Sequence, residues 1–125
     1  MQNGETTANK CPDLAVRSKE FALRVIRLYQ ALPDTNEARI IGKQILRSGT
    51  SVGAQYREAK RARTKIEFQA KIEGALQELE ETGYWLELLG EANIFPTNRL
   101  ASILQEQREL TAMLIASANT SKQHK

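Results

Sequence analysis

The groups in this chain that could do chemistry are carboxylates, guanidiniums and hydroxyls, and their spacing argues against catalysis. A helical protein rich in glutamate invites a di-iron reading, but that site needs Glu-x-x-His pairs on two helices. The only histidine is His124, at the end of the sequence. Zinc has no ligand set either, because Cys11 is the only cysteine. Ser48 and Ser51 are nucleophile types without a histidine base beside them. The run Gly49-Thr50-Ser51-Val52-Gly53 lacks the G-x-x-x-x-G-K-[ST] order of a phosphate-binding loop and follows a helical pattern, not a strand. The expectation is no catalytic residue, no metal and no cofactor, and therefore no enzyme.

Charge is the chemistry that remains. From Arg39 to Lys65 there are eight basic residues (Arg39, Lys43, Arg47, Arg57, Lys60, Arg61, Arg63, Lys65) against Glu58 alone, a balance of +7. From Ile66 to Glu91 seven glutamates (Glu67, Glu73, Glu78, Glu80, Glu81, Glu87, Glu91) face only Lys71, a balance of −6. At about 100° per residue, Arg39, Lys43, Arg47, Arg57 and Arg61 fall within an arc of roughly 80°. Thr50 and Ala54 share that stripe and leave it flat. In one continuous helix the stripe is about 33 Å long. One reading is a solvated face, neutralised by acids of the next helix within the chain or across a subunit contact. Here Glu78 and Glu81 are the natural partners. The other is a phosphate-tracking surface, with Arg39, Lys43, Arg47, Arg57, Lys60 and Arg61 as contacts to RNA or DNA. No aromatic lies in the stripe, so such binding is directed at backbone and shape, not at bases.

Four helical segments must position these groups. The first spans about Asp13 to Leu32, with Leu14, Ser18, Phe21, Val25, Leu28 and Leu32 on one seam. Pro33 ends it, and Pro33-Asp34-Thr35-Asn36 forms a turn that supplies the next cap. The second spans about Glu37 to Ala62 along Ala38, Ile41, Ile45, Ser48, Val52, Tyr56 and Ala59. Its Ser48–Gly53 interior is poor helix material, since each Gly costs about 1 kcal/mol against Ala. The seam nevertheless keeps one register across it, which predicts a continuous rod with room for a bend at that point. The third spans about Lys65 to Gly90, opened by the capping-box pattern of Thr64 and Glu67 and stopped by Gly90. The fourth spans about Thr97 to Ala118, with Thr97 as its N-cap. Gln107 interrupts its apolar seam, either fixing register or simply exposed. Short connections between helices of similar length predict an all-α, antiparallel up-down-up-down four-helix bundle over 13–118. Residues 1–12 and 119–125 read as disordered tails.

Composition agrees with a single globular domain: 41% hydrophobic, 26% charged, and only three prolines and seven glycines. A lone cysteine fits a reducing compartment. No apolar run approaches the roughly 20 residues that cross a bilayer, and the polar start lacks a signal-peptide core. The expected location is the cytoplasm, with no membrane partner.

Small residues on the second helix have two readings. Gly49 and Gly53 share a face and admit another backbone closely, either within the chain or, with Ala54, at a subunit contact. Tyr84, Trp85 and Leu88 extend the third helix's apolar surface beyond its seam, where a partner copy would cover them. A basic helix on one edge and an acidic helix on another suit head-to-tail contacts that close into a ring.

The segments Arg47-Ser-Gly-Thr-Ser-Val-Gly-Ala54, Tyr56-Arg-Glu-Ala59, Arg61-Ala62, Phe68, Lys71, Glu81-Thr82 and Tyr84-Trp85-Leu86 resemble the bacterial four helix bundle protein family. Its members are encoded in intervening sequences of 23S rRNA genes. The resemblance covers about Leu14 to Leu114 and extends to the accessory variability protein of diversity-generating retroelements. It implies a homopentamer, and for the retroelement branch a basic surface that engages nucleic acid and a reverse transcriptase. A net charge of +3 sets this chain apart from that more basic branch. Arg47, Arg57 and Arg61 carry over as contacts to nucleic acid or to a neighbouring helix. No catalytic residue carries over.

Overall fold

The computed structural model describes residues 13–123. Four helices account for the fold: α1 (Leu14–Ala31), α2 (Asn36–Lys60), α3 (Lys65–Glu91) and α4 (Thr97–Gln123). Each packs antiparallel on the next, and α4 returns beside α1. The pairings fix the directions: Val25 meets Gly49 and Ser18 meets Gly53 between α1 and α2, and Gln107 meets Gly83 between α3 and α4. Among the described residues there is no strand. This is the expected all-α four-helix bundle.

The helix starts follow from local chemistry. The Asp13 carboxylate accepts from the Ala15 and Val16 N–H groups, and the Thr35 hydroxyl accepts from Ala38. Both are N-caps satisfying donors that a first turn leaves free. Thr64 accepts from Glu67 N–H at 3.0 Å, while the Glu67 carboxylate reaches back to the Arg63 N–H. The capping pair is therefore present, shifted by one residue on its return bond.

Three expected boundaries need correction. Gly90 does not stop α3; it lies buried inside the helix, where Thr97 and Leu100 leave no comfortable room for a Cβ. The chain instead turns at Asn93, whose φ of 59° is the left-handed conformation that ends many helices. Ile94 and Phe95 N–H groups then both donate to the Leu89 carbonyl. Thr97 is the first residue of α4, not its cap, and α4 continues to Gln123, so the tail expected from 119 is helical that far. Residues 1–12, with Cys11, and His124 lie outside the described residues.

The core is the seam expected on α1 and α2 together with the sides of α3 and α4 that face it. Phe21, Val25, Ile45, Val52, Ile72, Leu79, Leu86, Leu89, Leu110 and Leu114 are all essentially inaccessible. Burying a side chain of this size contributes about 1.5–3 kcal/mol. Two hydroxyls sit among them: Ser48 and Thr82 share a hydrogen bond of 2.7 Å between α2 and α3. Gln107 fixes register, since its amide lies over Gly83 and donates to the Leu79 carbonyl at 3.1 Å.

Candidate nucleic-acid interface

The geometry of the basic stripe depends on α2 being one rod, and it is. Its weak centre stays helical despite its composition. Ser48, Thr50 and Ser51 turn their hydroxyls onto the Gln44, Leu46 and Arg47 carbonyls one turn back, bonds that slightly weaken a helix, so packing must hold it. Gly49 and Gly53 face α1 and let the two helices close together. A Cβ on Gly49 would stand 2.7 Å from Val25 Cγ2, and one on Gly53 would stand 3.1 Å from Ser18 Oγ. Packing thus overrides propensity. It also corrects the subunit reading of Gly49, which is buried by its own chain.

Arg39, Lys43, Arg47, Arg57 and Arg61 are all exposed, and Ala54 between them is exposed as well. Their charges do not act alike. Arg39 is tied to Asp34 at the start of α2. Arg47 bridges to α3, with Nη1 3.2 Å from Glu78 Oε1 and Nη2 on Glu81 Oε2. Glu81 is in turn a hydrogen-bond acceptor for Trp85 Nε1 at 2.9 Å. The Trp85 bond and then the Arg47 bond hold the Glu81 carboxyl below the usual glutamate range, and the same contact holds Arg47 more firmly charged. Arg39 and Arg47 of this proximal half are neutralised within the chain, Arg47 as the pairing of Glu78 and Glu81 with α2 anticipates, while Lys43 has no carboxylate within 4.0 Å among the described residues.

The distal half is different. Arg57, Lys60, Arg61, Arg63 and Lys65 crowd the end of α2 and the turn into α3, and all five are exposed. None of their side-chain charges has a carboxylate within 4.0 Å among the described residues, the Glu67 carboxylate being engaged at the Arg63 backbone N–H. The one acid in the run, Glu58, is turned to α3, where Lys71 Nζ lies 2.7 Å away and is held more firmly charged by it. Beside Arg57 a shallow groove runs between α1 and α2, floored by Ala22, Gly53 and Ala54 and flanked by Lys19. Lys19 is exposed too. Sequence reasoning about α2 alone misses it, because its place beside Arg57 follows only from the α1–α2 pairing.

The aromatic patch is smaller than the sequence suggests. Trp85 packs partly against the core and spends its N–H on Glu81. Leu88 is half-buried, and Tyr84 stands edge-on to Trp85 at 5.0 Å with about half its surface exposed. On the outer face of α3, Glu73, Glu80, Glu87 and Glu91 are exposed around Tyr84. No group of three or more potential metal-ligating side chains occurs among the described residues. No described helix is long and apolar enough to cross a membrane.

No curated protein matches the chain. A crystal structure of a protein of unknown function, from the S23 ribosomal protein family of Bacteroides thetaiotaomicron, is 39% identical with a TM-score of 0.80. The match covers 85% of this chain and 98% of that one. The model of the 23S rRNA-intervening sequence protein family matches residues 13–116. The chain therefore belongs to the 23S rRNA-intervening sequence protein family.

Proposed function

We propose that this protein is a non-enzymatic, oligomeric helical bundle that holds RNA or DNA by its phosphate backbone. The distal half of the α2 ridge makes the contact: Arg57, Lys60, Arg61, Arg63 and Lys65, with Lys43 farther along and Lys19 across the groove. One observation supports this above the rest: five cations within 57–65 project to solvent without an acid partner among the described residues. Each guanidinium or ammonium that meets a phosphate releases counterions, and that release drives sequence-independent binding. The small-residue groove beside Arg57 lets a sugar–phosphate backbone lie close. Arg39 and Arg47 contribute less, because each already has a carboxylate partner.

The test is fluorescence anisotropy of a labelled structured RNA at low salt. Wild-type protein should bind, and Arg57→Ala/Arg61→Ala should bind at least tenfold more weakly, in keeping with charge-assisted contacts of about 1.5–3 kcal/mol each. Absence of binding at low salt, or equal binding by the variant, rejects the proposal.

A second reading rests on the exposed row Glu73, Glu80 and Glu87 of α3. In it the basic ridge of one copy meets the acidic face of the next, building the ring-like assembly, with Ala54, Tyr84 and Leu88 at the contact. Under this reading Arg57→Glu lowers the mass in light scattering; an unchanged mass counts against it.

A further inference from the structure

A second concentration of guanidiniums lies at the opposite end of the bundle. Arg24 and Arg27 near the end of α1 and Arg99 in the first turn of α4 line one concavity. Its floor is apolar, made by Leu28, Phe95 and Ile103. Arg24 is braced from α4: Nη1 donates to Glu106 Oε1 at 3.1 Å and Nη2 to Ser102 Oγ at 2.8 Å. Glu106 is shared with Arg17, whose Nε lies 3.5 Å from Oε2, so its charge is divided between two cations. Arg27 and Arg99 have no carboxylate within 4.0 Å among the described residues. Arg99 lies over Phe95, its guanidinium carbon 4.6 Å from the centre of the ring.

Arg27 and Arg99, the two cations here without a carboxylate partner, repel one another until an anion joins them, while Arg24 adds only the part of its charge that the shared Glu106 leaves. Guanidinium forks match phosphate oxygens in pairs. Leu28, Phe95 and Ile103 are each already less than a tenth exposed, so recognition falls to the guanidiniums above them. The exposed guanidinium of Arg99, lying over Phe95, offers its outer face as a plane on which a flat organic group can stack. We propose that this concavity binds a phosphomonoester carried on a flat organic group, its phosphate held by Arg24, Arg27 and Arg99. A nucleoside monophosphate and the 5′-phosphorylated end of a nucleic-acid strand share this chemistry. The site is separate from the α2 ridge and does not depend on it.

The test uses the full chain and isothermal titration with adenosine monophosphate and with adenosine. The monophosphate should bind, and adenosine should bind at least tenfold more weakly. Arg27→Ala and Arg99→Ala should each weaken the monophosphate about tenfold. Both residues are exposed, so the variants should keep the helical circular dichroism of the parent. A tetranucleotide with and without a 5′-phosphate identifies the source. Tighter binding of the phosphorylated strand than of the monophosphate assigns a strand end; equal or weaker binding assigns the free nucleotide. Equal affinity for monophosphate and adenosine, or an Arg27→Ala variant that binds the monophosphate unchanged, overturns the proposal. So does binding that survives Arg27→Ala and disappears in Arg57→Ala/Arg61→Ala, which would place it on the α2 ridge. Capture of an acidic peptide with no monophosphate binding also overturns it.

Discussion

Arg47, Glu81 and Trp85 show how one residue's neighbours decide what its charge is available for. Arg47 belongs by angle to the same stripe as Arg57, yet its guanidinium is committed to two carboxylates of α3. The commitment has a pH signature. Glu81 is depressed first by the Trp85 hydrogen bond and then by Arg47. A depressed carboxylate contributes stability that is fully present above its unfolded value, about 4.3, and is lost as pH falls through the lower folded value. Trp85→Phe removes the larger cause, so the Glu81 titration followed by carboxyl NMR should move up toward ordinary glutamate; an unmoved midpoint would contradict the assignment. The buried hydroxyl pair makes a second prediction. Thr82→Val keeps the shape but leaves Ser48 without its partner across the helices. It should lower stability by about 1–2 kcal/mol in urea denaturation, and a neutral result would mean that Ser48 is satisfied by the Gln44 carbonyl alone.

At the scale of the element, α2 sets a weak helical sequence against close packing. Gly49→Ala gains about 1 kcal/mol of helix propensity, but its methyl would press on Val25 in a closed core, where overpacking costs about 1–3 kcal/mol. The net effect should be a loss of thermal stability, partly restored when Val25→Ala is added. Gly74 is the contrast, because a Cβ there meets only the flexible end of Gln55. Gly74→Ala should raise stability by up to about 1 kcal/mol. If both alanines act in the same direction, close approach is not the reason for Gly49. The same helices mark what a sequence can and cannot reveal. The seam is readable because apolar spacing carries register, and register carries α2 straight through Ser48–Gly53. The end of α3 is not readable at Gly90, because a glycine suggests a stop by its type, whereas here it is a packing contact and Asn93 takes the turn. Thr97 is ambiguous by one position for a similar reason: a threonine after proline suits both the cap and the first turn. The end of α4 lies beyond the apolar seam, since its polar last turns carry no period to read.

At the scale of the whole molecule, antiparallel packing sorts the charges into regions that no single segment reveals. It places Lys19 beside Arg57 and gathers Arg24, Arg27 and Arg99 around Phe95. The stripe itself is legible as a helical angle; which of its members remain unpaired is not, because that depends on where Asp34, Glu78 and Glu81 come to lie. Assembly belongs to this scale too. Light scattering should give a mass several times the 14.1 kDa of one chain, and a monomeric mass would rule out the ring. The most direct measurement is the salt dependence of RNA affinity for wild type, Arg47→Ala and Arg57→Ala/Arg61→Ala. The double variant should flatten the slope of log K against log salt by about two, about one for each phosphate no longer neutralised, while Arg47→Ala leaves it near wild type. A slope that stays steep in the double variant, or falls in Arg47→Ala instead, would contradict the distal ridge as the phosphate-gripping surface.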